Sequence, residues 1–260
     1  MDKLIVVTFD SEEKAYEGSK ALQELHNDGS LALYAAAVVA KDADGKMAVK
    51  QAADEGPLGT AVGMLTGAMV GLIAGPEGMV LGMSSGALFG SMADMTNIGV
   101  DGEFLAAVDT ELAAGKAAVV AECAENWVTP LDSKMESLGG TVMRRTRIDF
   151  VDDLIDQDVA QTRADFDRLQ AEYDQASDET KAELQSKLDA ARTKMNAAGE
   201  RAKARAEAVQ AEASAKVDTL KEQVSKSAGD AKAKLEAHME EMKTKRDARV
   251  AKLKAAWESV

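Results

Sequence analysis

Few side chains in this chain of 260 residues have the types and spacing that chemistry requires. The two histidines, His26 and His238, lie far apart, and no HExxH, CxxC, GxSxG or phosphate-loop pattern occurs. Cys123 is the one cysteine, so no intramolecular disulfide forms, and its place in an apolar strand indicates packing rather than nucleophilic attack. We therefore expect no catalytic residues, no cofactor and no metal.

An acidic turn resembles part of a calcium loop. Asp42, Asp44 and Gly45 have the right types, but Ala53 stands at the twelfth position, where such a loop needs Glu. The same residues are typical of a tight turn between two strands. The sequence therefore predicts a hairpin turn here.

The most distinctive stretch is the apolar segment 57–93, in which glycine recurs at every fourth position. A spacing of four places each series on one helix face, and a glycine inside a helix costs about 1 kcal/mol relative to alanine. Nine of them indicate a face for close helix approach, as in GxxxG packing within a membrane or a dry core. We expect two helices, 58–74 and 79–93, with these helix-packing residues: Gly59, Gly63, Gly67, Gly71, Gly75, Gly78, Gly82, Gly86 and Gly90.

These two predicted arms are short for a membrane span. They correspond to roughly 25 and 22 Å of helix, whereas a span needs about 20 residues. Three arrangements stay open: helices that re-enter or thinly span a bilayer, the dry core of a soluble oligomer, or a cover folded back on the protein's own sheet. Glu77, the only charge in the segment, is expected in an exposed turn, or in a cation-binding ring if the hairpin forms a pore.

The flanking segments predict a sheet with helices. The apolar runs at 3–9 and 117–123 are typical of buried central strands, and both are expected in one sheet. Further strands are predicted at 31–40, 46–52 and 141–148, and helices at about 11–27, 102–114 and 129–138. The fold class is therefore α+β: a ferredoxin-like or related sheet domain with an inserted glycine-zipper hairpin.

Composition divides the chain near residue 150. Residues 151–260 hold 20 Lys and Arg against 23 Asp and Glu, a net charge of −3, so −11 of the total −14 lies in 1–150. We predict an α+β domain over 1–150 and a charged, Ala-rich helical tail over 151–260. The acidic balance argues against nucleic-acid binding. The N-terminus has too short an apolar run for a signal peptide.

The tail has an eleven-residue apolar repeat, which favours a nearly straight or right-handed coiled coil. A lipid-surface helix and a single solvated helix stay as alternatives. Its acidic start and basic end are complementary if the helix folds back or pairs antiparallel. The predicted stripe includes Val209, Val217, Leu220, Val224, Leu235, Met239, Met242, Val250, Leu253 and Trp257.

Three motifs resemble a bacterial family of unknown function that is described as predicted membrane proteins. They are the LIVVxFDxExKA segment within Asp2–Ala15, AVVxKDxDGK at Ala37–Lys46, and IGVDxxF at Ile98–Phe104, with the glycine series between the last two. The resemblance covers about residues 1–150. It implies a membrane association but no activity and no functional residues.

The expected function is that of a non-enzymatic, self-associating, membrane-associated scaffold whose hairpin inserts or packs between subunits. Its partners would be further copies of itself and a lipid bilayer, with the bulk of the chain in the cytoplasm. The alternatives are a cytoplasmic soluble homo-oligomer with the hairpins as its core, and a small-ligand-binding ferredoxin-like domain.

Overall fold

The computed structural model describes residues 2–53, 102–125, 127–146 and 150–260, together with 56, 58–59, 62–63, 65–66 and 69. The strands are β1 (Asp2–Phe9), β2 (Leu31–Lys41), β3 (Met47–Gln51), β4 (Ala117–Glu125) and β5 (Thr141–Thr146). The first helices are α1 (Glu12–Asn27), α2 (Gly102–Glu111) and α3 (Thr129–Ser137). The expected α+β class is confirmed.

The five strands form one sheet in the order β3-β2-β4-β1-β5, and every neighbouring pair is antiparallel. β1 and β4 lie in one sheet, as the sequence predicts. They are adjacent in it, and β4 is buried along its whole length. The turn between β2 and β3 is held by Asp42, whose Oδ1 accepts hydrogen bonds from the backbone N–H groups of Asp44 and Lys46. The hairpin turn is therefore confirmed.

One face of the sheet is covered by α1 and α3, and we call it the α1–α3 face. The hydroxyl of Ser11 accepts from the N–H of Lys14 and caps α1, which then packs Leu22 against the strands. α3 contributes Leu131 and Met135. The strand residues on this face include Ile5, Val7, Phe9, Val119, Ala121 and Cys123.

The other face is covered partly by α2, and we call it the α2 face. Its strand residues include Leu4, Val6, Val39 and Val120, and α2 packs Phe104, Val108 and Leu112 on them. Three described helical residues of the first predicted arm are buried in the same core: Val62, Leu65 and Met69.

Among the described residues, no helix is both long enough and apolar enough to cross a bilayer. The expectation of transmembrane helices therefore has no support in that part of the chain. The second predicted arm, 79–93, lies outside the described residues, as does most of the first, and so does Glu77.

The tail consists of the helices α4 (Phe150–Gln175), α5 (Asp178–Lys226) and α6 (Gly229–Glu258). The chain forms two compact units. The first is Met1–Ile148 with Ser214–Glu241, and the second is Asp149–Ala213 with Met242–Val260. The end of α5 and the start of α6 thus pack with the sheet, an arrangement that composition alone did not predict.

Within the second unit, the acidic start of α4 contacts basic residues of α5 and α6. The Asp152 carboxylate pairs with the guanidinium of Arg205 at 2.9 Å and with that of Arg249. Asp156 pairs with Lys252 at 3.4 Å. The acidic start and the basic end of the tail therefore meet inside one chain. The pairing of tails from two chains stays a prediction.

Candidate functional site: a buried charged cluster

Two acidic residues lie at one end of the α2 face. Side chains alternate along a strand, so Asp2 is on the same face as Leu4, and Glu122 is on the same face as Val120. Leu4 pairs with Glu122 in the β1–β4 register, so Asp2 and Glu122 lie close together. The Glu122 side chain is only 1% exposed, and such a carboxylate needs a counter-charge to be stable.

Lys216 of α5 supplies that charge. Its Nζ atom lies 2.5 Å from Glu122 Oε1 and 2.8 Å from Asp2 Oδ2, and its side chain is 2% exposed. The ammonium group also lies 4.9 Å from the centre of the Tyr34 ring, within the range of a cation–π contact. Lys216 is therefore an almost wholly buried cation that joins the tail to the sheet.

His238 of α6 completes the cluster on the side of Asp2. Its Nε2 atom lies 3.1 Å from Asp2 Oδ1, and its Nδ1 atom lies 3.7 Å from Glu241 Oε2. The Tyr34 hydroxyl donates a longer hydrogen bond of 3.4 Å to Asp2 Oδ1. Asp2 thus accepts contacts from β2, α5 and α6 at once. We call Asp2, Tyr34, Glu122, Lys216 and His238 the Lys216 cluster.

The cluster shifts the pKa values of Asp2 and Tyr34 in opposite directions. Burial raises the pKa of Asp2, but the hydrogen bond with His238 and the charge of Lys216 outweigh it, and the pKa falls below its usual range. Burial and the nearby Asp2 carboxylate raise the pKa of Tyr34 well above its usual value. Asp2 is therefore ionised and Tyr34 is a neutral hydrogen-bond donor at neutral pH.

A second polar contact joins α5 to the end of α1. The side-chain amide nitrogen of Gln223 donates to the backbone carbonyl of His26 at 2.8 Å, and Gln223 is fully buried. His26 Nδ1 accepts a hydrogen bond of 3.1 Å from the N–H of Leu33. Burial, and then the charge of Lys226, lower the pKa of His26. Burial and the nearby Lys226 therefore favour the neutral imidazole of His26.

The chemistry of these groups is that of ion pairing. Lys216 and Glu122 are closed to solvent, and their charged atoms already contact each other. The pKa of the Cys123 thiol is raised, chiefly by burial, so this cysteine is a poor nucleophile. Within the described residues, no group of three or more His, Cys, Asp or Glu side chains is arranged to hold a metal ion.

The predicted helix-packing glycines lie mostly outside the described residues. Gly59 is in a turn, and Gly63 is helical and exposed. The side of Gly63 on which a Cβ atom would project faces open space, with no described atom within 4 Å. The role predicted for the glycines stays a prediction. Seven of them lie outside the described residues, namely Gly67, Gly71, Gly75, Gly78, Gly82, Gly86 and Gly90.

The predicted coiled-coil stripe is divided between the two units. Five of its residues lie in the first unit, and five in the second. None of the ten is exposed. Six are buried, namely Val209, Val217, Leu220, Leu235, Met242 and Leu253, and four are half-buried, namely Val224, Met239, Val250 and Trp257. Their packing against a second chain stays a prediction.

Sequence reasoning missed the Lys216 cluster, although one signal pointed to it. Glu122 is the one charged residue of the run AAVVAEC at 117–123, for which the sequence predicts a buried strand. A carboxylate in such a strand requires a cation or a proton. Lys216 itself gave no signal, because lysines are frequent throughout the tail.

Comparison with known proteins gives one partial match to a family model and no activity. Residues 60–151 match a family described as "Protein of unknown function (DUF1269)". That match is shorter than the predicted resemblance over 1–150, and its description says nothing of membranes. It includes Glu122 but not Asp2, Tyr34 or Lys216. No curated protein and no solved structure matches the chain.

Proposed function

We propose that this chain is a non-enzymatic scaffold protein that self-associates through the glycine face of residues 57–93. The observation that carries the proposal is that the described residues of the first arm have a buried side and an exposed side. Leu65 and Met69 are buried on the sheet, whereas Gly63 is exposed and faces open space among the described atoms. A helix with glycine on its outer side can approach a second helix closely.

The polar clusters support the non-enzymatic part of the proposal. An active site needs groups that a substrate can reach. The Lys216 cluster instead places its cation and one of its carboxylates almost wholly out of solvent. Its charges contact one another, so a structural role explains them.

The proposal includes a ferredoxin-like arrangement of the sheet domain. Without the β3 hairpin, the order of the strands is β2-β4-β1-β5, all antiparallel. α1 follows β1 and α3 follows β4, and both helices pack on the same face. This pattern supports two β-α-β halves in one sheet.

A substitution at Gly63 tests the self-association. Gly63→Leu adds a bulky side chain to the outer side of the arm, so we expect a smaller particle in sedimentation velocity and unchanged circular dichroism. The matched control is Ala106→Leu, at an exposed position of α2. A wild-type protein that is monomeric, or a Gly63→Leu protein that keeps the wild-type particle size, contradicts the proposal.

The second candidate is membrane association through the same segment. It rests on the apolar character of residues 57–93, where Glu77 is the only charge. Flotation of the protein with vesicles of phosphatidylcholine and phosphatidylglycerol, followed by a carbonate wash, separates the two candidates. Stable binding to the vesicles favours the bilayer. A large particle that stays in the soluble fraction favours the assembly.

A further inference from the structure

We propose that residues 214–241, the end of α5 and the start of α6, form a clasp that docks reversibly on the polar end of the sheet. We call this segment the clasp, and we call Asp2, Glu122 and Tyr34 its seat. The clasp belongs to the same compact unit as the sheet, so its contacts are internal to that unit. The inference does not depend on the glycine face of residues 57–93.

The first attachment is the ion pair of Lys216 with two strands. Asp2 comes from β1 and Glu122 from β4, and both carboxylates are within 2.8 Å of the Lys216 Nζ atom. The seat is therefore complementary to a cation, which the clasp delivers.

The second attachment lies two turns further along α5. Gln223 contacts the carbonyl of His26 at the end of α1, and the side chain of Gln223 is fully buried. Near the same place, Gly29 faces Ser227 at the turn between α5 and α6. Two points of contact fix both the position and the direction of the clasp.

A third contact is at the start of α6. The Nζ atom of Lys234 lies 4.4 Å from the centre of the Trp127 ring, which belongs to the loop after β4. Trp127 is 45% exposed, so this contact lies at the surface. Trp127 therefore gives a natural optical signal for the docked clasp.

The composition of these contacts is what makes the docking reversible. Burying a lysine and two carboxylates costs a desolvation free energy that offsets much of their attraction. When the clasp leaves, Lys216, Asp2 and Glu122 regain water, while the buried apolar side chains of the clasp, Val217, Leu220 and Leu235, become exposed. The apolar α1–α3 face has no such compensation, so we expect the clasp to open before the sheet unfolds.

Hydrogen exchange on the wild-type protein tests this order without any substitution. We expect the amides of 214–226 and 229–241 to exchange at least about tenfold faster than those of β4, after correction for intrinsic rates. Equal protection of the clasp and β4 would mean that they open as one unit, and this overturns the proposal.

Fluorescence tests the role of Lys216. The chain has two tryptophans, so Trp257→Phe leaves Trp127 as the only one. In this background, Lys216→Met removes the cation, and we expect a larger acrylamide quenching constant for Trp127. Cys123, which faces away from the seat on the α1–α3 face, should stay as slow to react with a thiol reagent as in the parent.

The matched control is Lys221→Met on the same helix, because Lys221 is exposed and pairs only locally with Asp218 in the contacts described. We expect this variant to match the parent in both measurements. Unchanged quenching of Trp127 in Lys216→Met overturns the proposal. So does a urea titration in which Trp127 and Cys123 become accessible at the same concentration.

Discussion

Each face of the sheet ends in a charged cluster, and the two clusters differ in how far apart their members lie in the sequence. On the α1–α3 face, Arg144 of β5 pairs with Glu125 at 2.7 Å and with Asp132 at 2.5 Å. These three residues lie within 20 positions of one another. On the α2 face, Glu122 pairs with Lys216, which is 94 positions away.

The clusters also differ in their exposure to water. The Arg144 side chain is 20% exposed, whereas that of Lys216 is 2% exposed. A partly hydrated guanidinium can lose one partner and still be solvated, but a buried ammonium cannot. The comparison teaches that the local cluster adjusts to change, whereas the long-range cluster determines whether the tail docks on the sheet.

The largest effect is expected from a matched pair of substitutions in β4, Glu122→Gln and Glu125→Gln. The first leaves the buried Lys216 with less counter-charge and should cost about 3–5 kcal/mol in the free energy of unfolding. The second leaves Arg144 paired with Asp132 and should cost about 1–2 kcal/mol. Urea titration followed by circular dichroism measures both losses.

Two results would break this comparison. Equal losses for Glu122→Gln and Glu125→Gln would mean that exposure does not distinguish the clusters. A loss for Glu122→Gln that persists unchanged in a Lys216→Met background would mean that Glu122 does not act through Lys216, since residues in one ion pair are not additive.

The same comparison explains what the sequence could predict. The strands and helices of the sheet domain were placed to within about three residues, because caps, turns and apolar periodicity are local signals. Ser11 caps α1, and Asp42 makes the turn before β3. Glu125 and Arg144 are close in sequence, but no single-residue pattern indicated that β5 would present Arg144 beside Glu125.

The Lys216 cluster could not be assembled from the sequence for a physical reason. Its members come from β1, β2, β4, α5 and α6, and nothing in the eleven-residue repeat distinguishes Lys216 from the exposed Lys221. The repeat predicted the apolar side of the tail, including Leu220. It did not predict that the same helix also buries Lys216 and Gln223 against the sheet.

A smaller effect on stability is expected when glycine is replaced by alanine at one position on each side of the sheet, Gly18 and Gly63. A Cβ atom at Gly18 would lie 2.7 Å from Cε2 of the buried Phe9 ring, so Gly18→Ala should cost about 1–3 kcal/mol through overpacking. Gly63→Ala meets no described atom and should stabilise its helix by up to about 1 kcal/mol. Thermal unfolding at low protein concentration measures whether each variant loses or gains stability.

The Gly18 result has its own internal control. Phe9→Leu removes the end of the ring, so the double variant Gly18→Ala with Phe9→Leu should lose less stability than the sum of the two single variants. Strict additivity would show that the Phe9 ring is not the obstacle. A loss for Gly63→Ala similar to that for Gly18→Ala would show that the arm's outer side is packed within the monomer.

The smallest effect is expected from acidification, through His26. Burial and the charge of Lys226 lower the pKa of His26, whereas Glu222 acts in the opposite direction. A lowered pKa means that the fold favours the neutral form. This contribution to stability is therefore fully present above pH 6.5 and declines as the pH falls below that value through the lowered pKa.

The measurement is the quenching of Trp127 between about pH 7 and about pH 5, where histidine titrates. We expect quenching to rise on acidification in the Trp257→Phe background, because a protonated His26 repels Lys226 and loses the acceptor that Leu33 uses. His26→Gln should flatten the profile. A profile that His26→Gln leaves unaltered assigns the pH dependence to another group, and a flat wild-type profile removes His26 from the control of the clasp.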